Sequence, residues 1–94
     1  MKPISDMYFA ATLVSYGLEY DGTECDGSFR QVFFNFPDKT ITVYKLDDGE
    51  IFKVELDLEA CYNSFQSRKL MFPPDYPNSL RNIKSAIYAK KNSN

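Results

Sequence analysis

The stretch ITVYKLDDGEIFKVEL, Ile41 to Leu56, decides the fold. Two alternating runs flank Asp48-Gly49, a dipeptide suited to the positive φ angles of a two-residue hairpin turn. With the turn placed there, Ile41 faces Leu56, Val43 faces Val54 and Lys45 faces Phe52 on one side of the ribbon. Thr42 with Glu55 and Tyr44 with Lys53 fall on the other, so the ribbon has an apolar side and a polar side.

Upstream, Leu18 to Cys25 and Phe29 to Phe36 read as a second antiparallel pair turned near Asp26-Gly27. Val32, Phe34 and Phe36 share one face, Gln31, Phe33 and Asn35 the other, and Pro37-Asp38 stops the run. A helix precedes this pair, with Ser5 or Asp6 as N-cap and Gly17 just past its end. Its Met7, Ala10, Ala11 and Val14 recur at helical spacing, and Phe9, Leu13 and Tyr16 widen the apolar arc, which implies cover on more than one side.

Downstream, Leu58, Cys61, Tyr62 and Phe65 restore the helical period, with Asp57 as N-cap and Arg68-Lys69 at the end that favours cations. The segment Leu70 to Tyr76, with Pro77, carries three prolines and reads as an apolar loop packed over the core. A last helix is expected from Asn78 or Ser79 to Lys90, burying Leu80, Ile83 and Ile87. The order α-β-β-β-β-α-α defines a small α+β domain, an antiparallel sheet with helices packed on one face. Ninety-four residues at 44% hydrophobic make a single domain over 1–94, with about 5–89 ordered and 90–94 frayed.

The missing residues exclude much chemistry. Without histidine there is no Ser-His or Cys-His pair, no HExxH helix and no imidazole base. Cys25 and Cys61 stand too far apart for a zinc half-site, and both read as reduced thiols. The acidic group Glu19, Asp21, Glu24 and Asp26 falls short of a calcium loop, because Thr23 and Cys25 occupy ligand positions and no bidentate Glu closes it. Asp47, Asp48, Glu50, Glu55 and Asp57 read as charge on an exposed ribbon edge rather than an acid–base pair. The expectation is therefore no enzyme, no cofactor and no metal. The apolar run Met7 to Val14 is far short of a membrane span, and the chain is expected to be cytoplasmic.

Net charge −2 divides unevenly. Residues 1–59 hold five basic and twelve acidic side chains, net −7, whereas residues 60–94 hold six basic ones against Asp75 alone, net +5. Such asymmetry points to a charged partner, against the plain alternative of solvated faces that cancel on folding. Aromatic residues are abundant, and Phe33, Tyr44 and either Tyr62 or Tyr76 are candidates to stay at the surface as interface anchors.

Asp6-x-x-x-Ala10-Ala11-x-Leu13 with Gly17, Phe34-x-Phe36, and Leu80-x-x-Ile83-Lys84-x-x-Ile87-Tyr88 together resemble a family of small bacterial and phage proteins catalogued as a domain of unknown function. The resemblance covers most of 5–37 and 58–89, and the hairpin between Asp38 and Asp57 departs from it as an added central element. It implies a phage or mobile-element setting and brings no catalytic residue.

Two functions follow as expectations. The first is a non-enzymatic protein-binding accessory or inhibitor, phage or mobile-element encoded and anti-CRISPR-like, directed at a host defence or nucleic-acid-processing protein. Its candidate contacts are Phe33, Tyr44, Glu50, Glu55 and Asp57, an acidic surface able to mimic nucleic acid in a basic groove. The alternative is a DNA- or RNA-binding regulator using Arg68, Lys69, Arg81, Lys84, Tyr88 and Lys91, where cations meet phosphates and Tyr88 stacks on a base. Expected partners are thus a host or phage protein first and nucleic acid second, with no membrane. A homodimer through the Phe33 face or a ribbon edge fits either reading.

Overall fold

The computed structural model describes residues 1–27 and 31–92. The chain folds as α+β, with the helices and strands in the order anticipated and one further short strand at the front. The elements are β1 (Lys2–Ile4), α1 (Met7–Ser15), β2 (Thr23–Cys25), β3 (Val32–Phe36), β4 (Ile41–Asp47), β5 (Glu50–Leu56), α2 (Leu58–Gln66) and α3 (Tyr76–Lys91).

Helix α1 starts because the Asp6 carboxylate accepts from the Tyr8 and Phe9 backbone N–H groups at 3.0 and 3.1 Å. It stops at Gly17, whose φ of +96° closes the last turn. The Gly17 N–H then reaches the Val14 carbonyl at 2.9 Å, and the Leu18 N–H reaches that of Leu13 at 3.1 Å. Between these caps five consecutive residues, Phe9 to Leu13, are fully buried. Consecutive burial over more than one turn means neighbours on every side, more enclosure than an amphipathic surface helix has. Helix α3 lies directly against α1, and Ala10 and Ala11 of α1 and Ser79 of α3 are small residues buried in the core.

Strand β3 sits at the centre of a three-stranded antiparallel sheet in the order β1-β3-β2. Val32, Phe34 and Phe36 are buried, as the alternation requires, and Tyr20 packs edge-on against Phe34 and Phe36 at 4.9 and 5.9 Å between ring centroids. The β2 partner is shorter than its hydrophobic pattern. The Asp21 backbone N–H donates to the Asn35 carbonyl and the Asn35 N–H donates back to that of Gly22, two residues against one, so a bulge at Gly22 (φ +135°) breaks the ladder before Thr23. The turn region at 28–30, including the start of the Phe29 to Phe36 run, lies outside the described residues.

The single sheet anticipated from the sequence is in fact two. Strand β1 pairs with β3 through Lys2↔Phe36, Pro3↔Asn35 and Ile4↔Phe34, so both edges of β3 are occupied. Strand β4 cannot join it and instead forms a separate two-stranded sheet with β5. A three-residue strand containing proline has no readable period, and Pro3 is tolerated because β1 is an edge.

The β4–β5 ribbon has the anticipated register, Ile41↔Leu56 through Asp47↔Glu50. Asp48 and Gly49 both take positive φ, +50° and +78°, the geometry of a type I′ turn. Helix α2 begins where Asp57 accepts from the Ala60 N–H at 2.8 Å. It ends with Arg68 at φ +61°, a left-handed position more often given to glycine. Helix α3 starts earlier than anticipated, at Tyr76, because Pro77 falls in the first turn, where a missing N–H costs no helical bond. At its other end α3 runs on through Lys91.

Overpacking tests the enclosure of α1. Ala11→Leu is expected to lower stability by about 1–3 kcal/mol, whereas Ala89→Leu, on the exposed side of α3, should stay within about 0.5 kcal/mol; urea unfolding of both variants checks this.

Candidate functional site

The prolines after α2 build the most distinctive surface. Residues Lys69 to Met71 run along the free edge of β4 as a strap, with the Leu46 N–H donating to the Lys69 carbonyl at 2.6 Å and the Met71 N–H to that of Tyr44 at 2.8 Å. Leu70 forms an isolated antiparallel bridge with Lys45 and is buried. Tyr16, at the end of α1, locks the arrangement: its hydroxyl donates to the Met71 carbonyl and accepts from the Tyr44 N–H at 3.2 Å. Lys69 adds an exposed ion pair to Asp47 at 3.5 Å, a weak contribution at such exposure.

Beyond Met71 the chain leaves the strand edge, and an open groove of about 620 Å³ forms between helix, ribbon and strap. Ser15, Tyr16, Thr42, Tyr44, Ile51 and Met71 line it, and Phe72, Pro73 and Pro74 complete its wall. Phe72 is held in an aromatic row. Its ring lies 6.4 Å from Phe65 and 4.6 Å from Tyr76, and Phe65 in turn stands 5.3 Å from buried Phe9. Even so Phe72 is 53% exposed, with Tyr44 at 46% and Ile51 at 59%.

These exposures revise the polar side of the ribbon. The register that puts Tyr44 opposite Lys53 also puts Leu46 opposite Ile51 on the same face, so this face is polar only in its half remote from the turn. The apolar face is also uneven. Val43 is fully buried, yet Phe52 at 46% exposure lies toward the turn, where the ribbon extends past the core of an elongated 47 × 24 × 20 Å molecule.

The candidate protein-binding residues are distributed over both sheets. Tyr44 lines the groove, Glu50 is at the turn, and Glu55 is exposed on the same ribbon face as Tyr44. Asp57 is exposed and already engaged as the N-cap of α2, while Phe33 is half-buried on β3 opposite Glu24, in the other sheet. Tyr62 and Tyr76 are both half-buried in aromatic contacts. Of the nucleic-acid candidates, Arg81, Lys84, Tyr88 and Lys91 are all exposed on α3, with Tyr88 at 74%. Arg68 and Lys69 belong to the end of α2 and the strap. Sequence reading missed Leu46, Ile51 and Phe72 as surface residues. The hairpin register carried the signal for the first two; for Phe72 a loop of prolines gives no facing information.

The titratable groups with shifted behaviour are structural. Burial pushes the Cys61 thiol up from 9.0 to about 11, with a further push from the nearby Asp57 carboxylate. Burial likewise raises Tyr16, partly offset by the bond from the Tyr44 backbone, and raises Tyr76. A thiol held neutral in this way is the opposite of an activated nucleophile. No group of three or more metal-ligating side chains occurs among the described residues, and no helix among them is long and apolar enough to cross a membrane. No family model, no curated protein and no solved structure matches the chain.

Two measurements test this geometry. Tyr16→Phe removes both ends of the lock, and the expected loss is about 0.5–1.5 kcal/mol in urea unfolding, since a part-buried bond to Met71 and an exposed one from the Tyr44 N–H are both lost. Because the Cys61 thiol is neutral in the fold and ionises more readily unfolded, its contribution is complete below pH 9 and disappears as pH rises toward 11. The urea midpoint should fall over that interval, and fall less steeply in Cys61→Ala.

Proposed function

We propose that the chain is a non-enzymatic protein-binding module, an accessory or inhibitor, that engages its partner through the groove face of the β4–β5 ribbon. The observation that carries this reading is the continuous exposed apolar surface of Tyr44, Leu46, Ile51 and Phe72 beside a groove walled by Met71, Pro73 and Pro74. Clustered exposed apolar side chains are costly in a monomer and mark interaction surfaces. Aromatic anchors on a rigid support are the residues that carry most binding energy, and here the strap, Tyr16 and the aromatic row supply the support. Glu55 lies on this face beside Lys53, and Asp47, Asp48 and Glu50 make an acidic tip at the turn, with Asp47 and Glu50 on the opposite side of the ribbon. The acidic tip favours a partner with a basic rim, such as a nucleic-acid-processing protein.

A second reading rests on α3, where Arg81, Lys84 and Lys91 accompany a Tyr88 ring that is 74% exposed. Cations beside an exposed ring are the elements of single-strand binding.

Affinity capture from a bacterial lysate separates them. The partner retained by the wild-type chain should be lost from Ile51→Asp with Phe72→Ala, a weakening of about tenfold or more. Glu50→Lys with Glu55→Lys should mainly reduce the association rate and its salt dependence. Capture indifferent to Ile51 and Phe72 removes the groove face from the proposal. Salt-steep binding to DNA or RNA between about 50 and 200 mM salt, abolished by Arg81→Glu with Lys84→Glu, establishes the second reading instead.

A further inference from the structure

The two edges of the β4–β5 ribbon are finished differently. On the β4 side, Tyr44 and Leu46 give their outward backbone groups to the strap. On the β5 side the outward groups belong to Ile51, Lys53 and Glu55. Asp47 and Glu50 flank a two-residue turn and so bond each other, and bonding then alternates along the ribbon. Among the described residues, none of these three makes a backbone hydrogen bond outside the hairpin. The edge contains no proline and no bulge, and all three side chains are exposed. Such an edge is a template for another strand.

The side chains on this edge are complementary to themselves. Two copies meeting antiparallel must set outward residues against outward residues, which limits the registers. Lys53 against Lys53, or Glu55 against Glu55, puts like charges directly opposite, an unfavourable cross-strand pair. Registers shifted toward the turn leave Glu55 opposite Gly49 or beyond the partner strand. One register remains, in which Lys53 faces the partner's Glu55 and Glu55 faces the partner's Lys53, symmetric about Val54. It also sets Phe52, 46% exposed in the single chain, opposite the partner's Leu56 on the apolar face. The five paired residues, 52 to 56, end just before Asp57 caps α2, so neither helix enters the ladder.

We infer that β5 is a self-association edge: two copies pair β5 antiparallel to β5 about a twofold axis through Val54, making one four-stranded sheet in the order β4-β5-β5-β4. This interface uses the backbone edge of β5 but shares Glu55 with the groove face, so Lys53→Glu, which the partner reading does not use, and the restoring double exchange separate the two.

Sedimentation equilibrium of the full chain tests it through charge exchange. The wild type is expected to approach twice the chain mass as concentration rises. Lys53→Glu alone and Glu55→Lys alone each turn both cross-strand pairs into like-charge pairs and should weaken association about tenfold or more. The double variant Lys53→Glu/Glu55→Lys recreates the pairs in reverse and should restore it. A chain that stays monomeric up to about 1 mM, the range of very weak association, overturns the inference. So does association that ignores the single reversals, or that the double exchange fails to restore.

Discussion

The enclosure of α1 is the constraint from which the other packing decisions follow. A helix with five successive residues out of water needs partners around its whole circumference, and a chain of this length has few elements to provide them. Helix α3 covers one side at close range. The Phe34 and Phe36 face of β3 and the aromatic side chains of α2 belong to the same core cluster. Phe9 shows how directly this works, since its ring meets both Tyr62 and Phe65. With so much of the interior committed to one helix, the ribbon is left to cover the core with only its inner half, and its turn end stands clear.

That division gives the molecule two kinds of surface order. The β1-β3-β2 sheet is held by non-local pairing and by burial of alternate aromatic residues. The ribbon is held by Val43, Ile41, Val54 and Leu56 packed on the core at its inner half, by its own hydrogen bonds, and by a strap whose contacts with β4 are chiefly backbone to backbone. Tyr16 ties the ribbon to the central helix, because it sits at the end of α1 and bonds both strap and ribbon. The groove is therefore positioned by α1 even though most of its wall comes from other elements.

What the sequence made legible was local. Asp6 and Asp57 as caps, Gly17 as a helix stop and Asp48-Gly49 as a turn each act over a few residues, and each is found in that role. The hairpin register follows from the turn position together with the apolar alternation of Ile41, Val43, Val54 and Leu56, so it too was readable. What escaped was set by distant partners. Lys2 to Ile4 becomes a strand only because β3, some thirty residues on, offers an edge, and that pairing is what separates the two sheets. The strap's bonds to Tyr44 and Leu46 involve main-chain groups and leave no trace in side-chain pattern. The groove depends on both, so its residues could be named one at a time, Tyr44 among them, but not assembled.

The type I′ turn at Asp48-Gly49 has a consequence for the tolerance of this scaffold to change. It joins strands whose pairing is already fixed nearer the core, and the residues around it are solvated on both faces. Opening a short surface connection into a longer one costs only about 0.6 kcal/mol for each doubling of its length, and no core contact is disturbed here. The ribbon tip is thus a natural place for inserted sequence, a point where a peptide of foreign specificity could be displayed while the helical interior continues to hold the fold.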